Sequence, residues 1–340
     1  MRGALKFGLI ILLCFVAVLQ FSCKADKTVN AEKKTGSPEL DKLNAAIARD
    51  TLDHSLLFER AKLYYKNSYY DGAIADMVKA IGYERKNPDY YHLLCDLYLD
   101  YYKSKDALLT IERCVELFPK RIPSLLKLSE TQLILKQYEN SLATTSRILT
   151  INPETAEAYF MMGMNLRSIP DIERAKVAFR KATEIDPELV DAWLILGQIY
   201  ESENDRKALD YYEAATNVDR NNPATWHSKA YYLQNHGQED KALEIYRQIN
   251  LIDKNYIDAY LNAGILYLDR DSIKQAYEQF DILINIKPTN HLAHYYRGIS
   301  NELLGKTDNA KEDYKTTLIL KPAFSKAKNA LEALAKSSMK

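Results

Sequence analysis

A small side chain returns every thirty-four residues along most of this chain. Ala73, Ala107, Ser141, Ala175, Ala208, Ala242, Ala276 and Ala310 form one series, with a single interval of 33 between Ala175 and Ala208. A second series precedes it by twelve residues, or by eleven in the fifth unit: Ala61, Cys95, Ser129, Gly163, Gly197, Ala230, Gly264 and Gly298. A fixed period of this length marks a stacked repeat, in which each unit buries its apolar face only against its neighbours. Two antiparallel helices approach closely where the facing side chains are small, so the two series are expected to meet across a helical hairpin. Larger residues should fill the flanking space: Tyr64, Tyr98, Leu166, Tyr200, Leu233 and Tyr267 on the first helices, and Met77, Ile111, Phe179, Tyr212, Tyr246, Phe280 and Tyr314 on the second. A third series, Ala80, Cys114, Ile148, Ala182, Ala215, Ile249, Leu283 and Thr317, should face the next unit.

The chain has 340 residues, beyond the roughly 250–300 at which one compact core stops growing. An elongated array or a second domain is therefore required, and the repeat favours the array. Proline should end the second helix at Pro119, Pro153, Pro187, Pro288 and Pro322, because it removes a donor and clashes with the preceding turn; Arg85, Arg220 and Lys254 stand in its place elsewhere. The third unit departs most, with Gln132, Thr145 and Ile148 at two large sites and one small site, so its packing should be the weakest. Lys+Arg and Asp+Glu are both 46, for a net charge of zero. The basic excess of a nucleic-acid binder is missing.

This spacing resembles the tetratricopeptide repeat family over about 54–322. The fifth unit carries the pattern best, with Trp193, Leu196, Gly197, Tyr200, Ala208, Tyr212 and Ala215. The resemblance implies an all-α, right-handed superhelical solenoid of about eight helix-turn-helix units. Terminal units need polar outer faces. Ser37 and Pro38 read as an N-cap and a first-turn proline, with Leu40, Leu43 and Ile47 as one stripe, so an N-terminal capping helix is expected within 37–53. Ala327, Ala330, Leu331 and Leu334 mark a C-terminal capping helix within 323–340.

In this family the first helices line a concave groove. The resemblance then implies that partner segments meet Phe58, His92, Leu126, Phe160, Leu194, His227, Leu261 and Tyr295 in one row, and Met164, Tyr231, Ile265 and Ile299 in the next. The two rows lie four residues apart, on one helical face. Lys62, Asp96 and Glu130 make the early groove charged, and it becomes more apolar from Phe160 onward. The alternative is that the first row packs against the adjacent unit and leaves little exposed. The Lys and Asn pair by which chaperone-binding members grip a carboxylate occurs in no unit.

Arg2 and Lys6 precede an apolar run from Phe7 to Leu19, about 20 Å as helix and short of a bilayer core. With the small residues after it, this reads as a secretory signal over 1–22. Leu19-Gln20-Phe21-Ser22-Cys23 resembles a bacterial lipobox, although Gln20 and Phe21 depart from the preferred residues. That resemblance implies cleavage before Cys23 and its lipidation; an uncleaved anchor and plain secretion are the alternatives. Residues 23–36 hold almost nothing to bury and should serve as a tether.

No phosphate loop, serine elbow or HExxH is present. Cys95 and Cys114 are expected to be small buried residues. His291 and His294 have chelating spacing but lack a third ligand, and Asp269 and Asp271 lack the glycine and distal glutamate of a calcium loop. No cofactor, metal or catalytic role is expected. The expected function is a non-catalytic protein-interaction scaffold, lipid-anchored in a bacterial envelope, facing the periplasm from the outer membrane. A regulatory adaptor of an envelope enzyme such as a peptidoglycan hydrolase, and a glycan- or nutrient-binding lipoprotein, are the alternatives.

Overall fold

The computed structural model describes residues 37–337; the expected signal segment, Cys23 and the tether lie outside them. The described residues form eighteen helices. After α1 (Pro38–Arg49) come eight hairpins: α2 (His54–Lys66) with α3 (Tyr70–Tyr83), α4 (Pro88–Asp100) with α5 (Ser104–Leu117), α6 (Ile122–Ile134) with α7 (Tyr138–Ile151), α8 (Ala156–Ser168) with α9 (Ile172–Ile185), α10 (Val190–Ser202) with α11 (Lys207–Val218), α12 (Pro223–Asn235) with α13 (Glu239–Ile252), α14 (Ile257–Asp269) with α15 (Ile273–Ile286), and α16 (His291–Leu303) with α17 (Thr307–Leu320). The order closes with α18 (Ser325–Ser337). The helices fall into two compact bodies divided between Tyr83 and Glu84.

In the first body Ser37 caps α1 by accepting from Leu40 N–H at 3.4 Å, with proline at the first position. Arg60 of α2 ties all three helices together. Its Nε and Nη2 donate to Asp76 of α3, each at 2.7 Å, and its Nη1 donates to Asn44 of α1 at 2.8 Å.

In the second body each hairpin packs against the next. First helices also touch one another (α4 with α6, α6 with α8, α10 with α12, α12 with α14 and α14 with α16), whereas the second helices barely meet. The second helices therefore fan apart and the first helices form the inner face of this body.

The small residues have a sharper purpose than the spacing suggested. A Cβ added at Gly163, Gly197, Gly264 or Gly298 would lie 2.7, 2.6, 2.5 or 2.7 Å from the ring of Phe179, Tyr212, Phe280 or Tyr314. Each glycine thus seats an aromatic ring of its own hairpin; its nearest neighbour is not another small residue. Where the ring position holds Met77, Ile111 or Thr145, the partner position holds Ala61, Cys95 or Ser129 instead. Among the aromatic rings at this position only Tyr246 pairs with an alanine, Ala230. The buried tyrosines also need an acceptor. Tyr212, Tyr246 and Tyr314 hydroxyls donate to Glu201, Gln234 and Glu302 at 2.6, 2.8 and 2.8 Å. At the same place the phenylalanine units carry Arg167 and Leu268, which offer no acceptor to a ring that wants none.

The third unit is closed by hydrogen bonds, with no ring at its centre. Ser129 and Ser141 hydroxyls lie 2.8 Å apart, and Thr144 Oγ1 donates to Gln132 Oε1 at 2.8 Å. Thr145 is fully buried and donates to the Leu142 carbonyl at 2.8 Å. Asn165 of the next unit reaches Ser141 Oγ at 2.8 Å.

Second helices stop at the same place whether proline or a basic residue follows. What the structure uses there is a backbone carbonyl. Trp193 Nε1 donates to Pro187 O at 2.8 Å, and Trp226 Nε1 to Arg220 O at 2.9 Å. Tyr91 and Tyr260 hydroxyls reach Arg85 O and Lys254 O at 3.1 and 3.2 Å, and His294 Nε2 reaches Pro288 O at 2.9 Å. Each staple ties a first helix to a carbonyl of the linker just past the end of the preceding second helix. Within hairpins the turn is a left-handed one. Ser68, Tyr102, Lys136, Asn204 and Asp271 hold φ between 55 and 58°, and Gly237 and Gly305 hold 71 and 74°. The next N–H bonds back to the carbonyl five residues earlier, as in Lys103 N to Tyr98 O at 2.7 Å and Gln238 N to Leu233 O at 2.9 Å, the Schellman pattern.

Cys95 and Cys114 are free, buried thiols. Cys95 Sγ lies 3.4 Å from Thr131 Oγ1, and burial pushes its pKa up to about 11. At the end of the second body Ala327 and Leu334 of α18 are buried against Tyr314.

Candidate functional site

All the residues expected to meet a partner sit on first helices, and none is fully buried. Phe58 belongs to the first body, where Lys62 Nζ lies 4.8 Å from its ring centre. The other eleven belong to the inner face of the second body. Phe160, Met164 and Leu194 lie half-buried over the main apolar core, as Tyr295 and Ile299 do over the C-terminal one. Tyr231 is 47% exposed, the most open of the set.

Three of these residues come together. His92 of α4, Leu126 of α6 and Phe160 of α8 line one pocket of about 330 Å³ with Pro123, Lys127, Glu130, Glu157 and Met161. Phe160 is held edge-on to Phe179, with ring centres 5.7 Å apart, so the ring that seats against Gly163 also positions the pocket wall. His92 Nε2 lies 3.0 Å from Ser124 Oγ. Burial, and then the charge of Arg121, lower the His92 pKa below its ordinary value, so the ring is neutral at pH 7. Lys127 Nζ stands 2.6 Å from Asp96 and 2.8 Å from Glu130. Glu130 was expected as a charged member of the second row; the four pocket residues the sequence did not single out, Pro123, Lys127, Glu157 and Met161, occupy helix positions that flank the two expected rows, so the signal was their spacing.

His227 and Tyr295 serve structure as much as exposure. Asn262 Nδ2 donates to His227 Nε2 at 2.9 Å, and Tyr246 and Tyr256 close on the His227 ring. Burial lowers the His227 pKa. Tyr295 packs on Tyr314 and Phe324 with ring centres 6.0 and 5.0 Å away. Among the described residues no group of three or more His, Cys, Asp or Glu is placed to hold a metal ion. His294 is buried, with Nδ1 3.4 Å from Asp313.

Stacked helical hairpins with one face of half-exposed apolar residues define a helical-repeat protein. Two of the hairpin repeats, residues 156–189 and 190–222, match the repeat profile "Tetratricopeptide repeat", and the remaining hairpins repeat at the same spacing. Among proteins of known role, the chain is 26% identical over 143 residues to Tetratricopeptide repeat protein 37 of Xenopus laevis, covering 41% of this chain and 8% of that one. It is 27% identical over 139 residues to Type IV pilus assembly protein PilF of Pseudomonas aeruginosa, covering 38% and 52%. The chain thus spans about half or less of these relatives' own lengths. Among solved structures it is similar to YrrB, described as a TPR protein with an unusual peptide-binding site, at 24% identity and a TM-score of 0.44 over 54% of this chain and 95% of that one. Tetratricopeptide repeats generally serve as protein-interaction scaffolds.

Proposed function

We propose that this protein is a non-catalytic scaffold that holds a segment of another protein against its first-helix face, and that it is fastened to a bacterial envelope through a lipid on Cys23. The observation that carries the reading is the half-exposed row itself. Eleven apolar or aromatic-rich positions repeat along one face without being used up by the core, and at α4, α6 and α8 the row opens into a pocket. An extended or helical segment with apolar anchors fits such a face. Similarity to a pilus assembly protein supports an assembly role in the envelope, and the lipobox-like residues support the anchor.

Leu126→Asp should abolish capture of the native partner from solubilised membranes, because it puts a charge on the pocket floor. Val177→Asp, on a second helix and 58% exposed, should leave capture intact. Equal capture by both variants removes the groove reading. Metabolic labelling with a fatty-acid analogue tests the anchor: Cys23→Ser should lose the label, and retained label ends that part of the proposal.

A further inference from the structure

We propose that the pocket between α4, α6 and α8 selects a partner segment whose apolar anchor lies next to lysine or arginine. The proposal rests on the first-helix face being the binding face and adds the chemistry of what it accepts. The floor is apolar, made by Leu126, Phe160, Met161 and Pro123, and asks for an apolar side chain. The rim decides what surrounds that side chain.

Lys127 looks like a cation offered to the partner, but its charge is already over-matched. It stands between Asp96 at 2.6 Å and Glu130 at 2.8 Å, and its side chain is only 19% exposed. One positive and two negative charges leave this cluster at −1. Glu157, exposed in the first turn of α8, adds another and has no ion-pair partner among the described residues. The neutral His92 ring offsets neither, and Arg121 beside it is matched by Asp89 at 3.1 Å. The rim therefore carries about two negative charges. Asp191, the residue of α10 equivalent to Glu157, is likewise exposed and extends the acidic edge toward the next unit. Acids in a first turn also favour their own helix dipole, but that role leaves the charge in place and facing whatever docks beside it. A cationic segment gains from this field and an anionic one meets like charges.

Two fluorescent probes test it against the full chain: N-acetylated, C-amidated peptides with one phenylalanine in a glycine-serine background, flanked by two lysines in one and two glutamates in the other. The lysine probe should bind roughly tenfold tighter or more, and should shift the Met161 methyl resonance. Its affinity should fall several-fold between about 0.05 and about 0.3 M salt. Glu157→Lys should narrow the gap between the probes. Equal affinities, binding of the lysine probe that leaves Met161 unmoved, or no binding of either probe would each overturn the proposal. If Leu126→Asp still abolishes partner capture in those cases, the groove reading stands and only its charge selectivity has failed.

Discussion

Gly264→Val should destabilise the protein by about 3 kcal/mol, although helix propensity alone favours valine by about 0.5 kcal/mol. The clash wins because of what the glycine faces. A Cβ there would lie 2.5 Å from Cε1 and 2.6 Å from Cζ of Phe280. That ring is fully buried and stacked on Tyr296 with centres 5.5 Å apart, so it cannot swing aside. Shortening the ring in the same chain, Gly264→Val with Phe280→Leu, should recover a good part of the loss. The pair forms a double-mutant cycle read from urea unfolding midpoints. Additive effects would mean that the glycine is not there for the ring.

Asp313→Ala should cost about 3 kcal/mol by leaving a mostly buried guanidinium short of its main partner. Arg297 donates to Asp313 through Nη2 at 2.7 Å and Nε at 3.1 Å, and Asn301 donates to it at 3.0 Å. Asp281, the other partner of Arg297 at 2.7 Å, is far more exposed and replaces little of this. Burial by itself would raise the Asp313 pKa, but the hydrogen bonds from His294 and Arg297 outweigh it and hold the carboxyl below its ordinary value. A carboxylate depressed in this way contributes stability that is present above the unfolded carboxyl pKa, near 4, and is lost as pH falls through the lower folded value. Thermal unfolding between about pH 5 and pH 2 should therefore show a steeper loss in the parent than in an Arg297→Met, Asp313→Leu variant. Parallel curves would remove Asp313 as a source of acid sensitivity. Arg60 and Asp76 repeat this arrangement in the first unit, at the same two register positions, with Asn44 in the place of Asp281.

Periodicity alone placed every hairpin, because a repeat must put equivalent residues in equivalent surroundings and only small residues tolerate a close helix contact. It could not say what each small residue faces. Gly163 and Phe179 are sixteen residues apart, and their match shows only when the units are compared for which ring occurs with which glycine. The left-handed turns were hidden for a different reason. Only Gly237 and Gly305 announce them; Ser68, Tyr102, Lys136, Asn204 and Asp271 adopt the same backbone because the Schellman bonds and the hairpin close around them. At the candidate site the spacing found His92, Leu126 and Phe160, since rows on a helix face follow from sequence. The net negative charge of the pocket rim did not follow, because Lys127 is claimed by Asp96 of the preceding unit as well as by Glu130 of its own helix, which leaves the cluster one negative charge in excess. The polar closure of the third unit was likewise illegible: Gln132 and Thr145 read as defects until Thr144 and Ser141 are seen to meet their neighbours.

The claim that the first-helix face is the working face can be tested by placing a photo-crosslinking phenylalanine analogue at one position at a time in the full chain and irradiating intact cells. Leu126, Phe160 and Tyr231 sample the inner face; Leu109, Val177 and Leu251 are exposed on second helices. Adducts to one discrete partner from the first set, with none from the second, are the predicted result. Adducts that form only from the second-helix positions would contradict it.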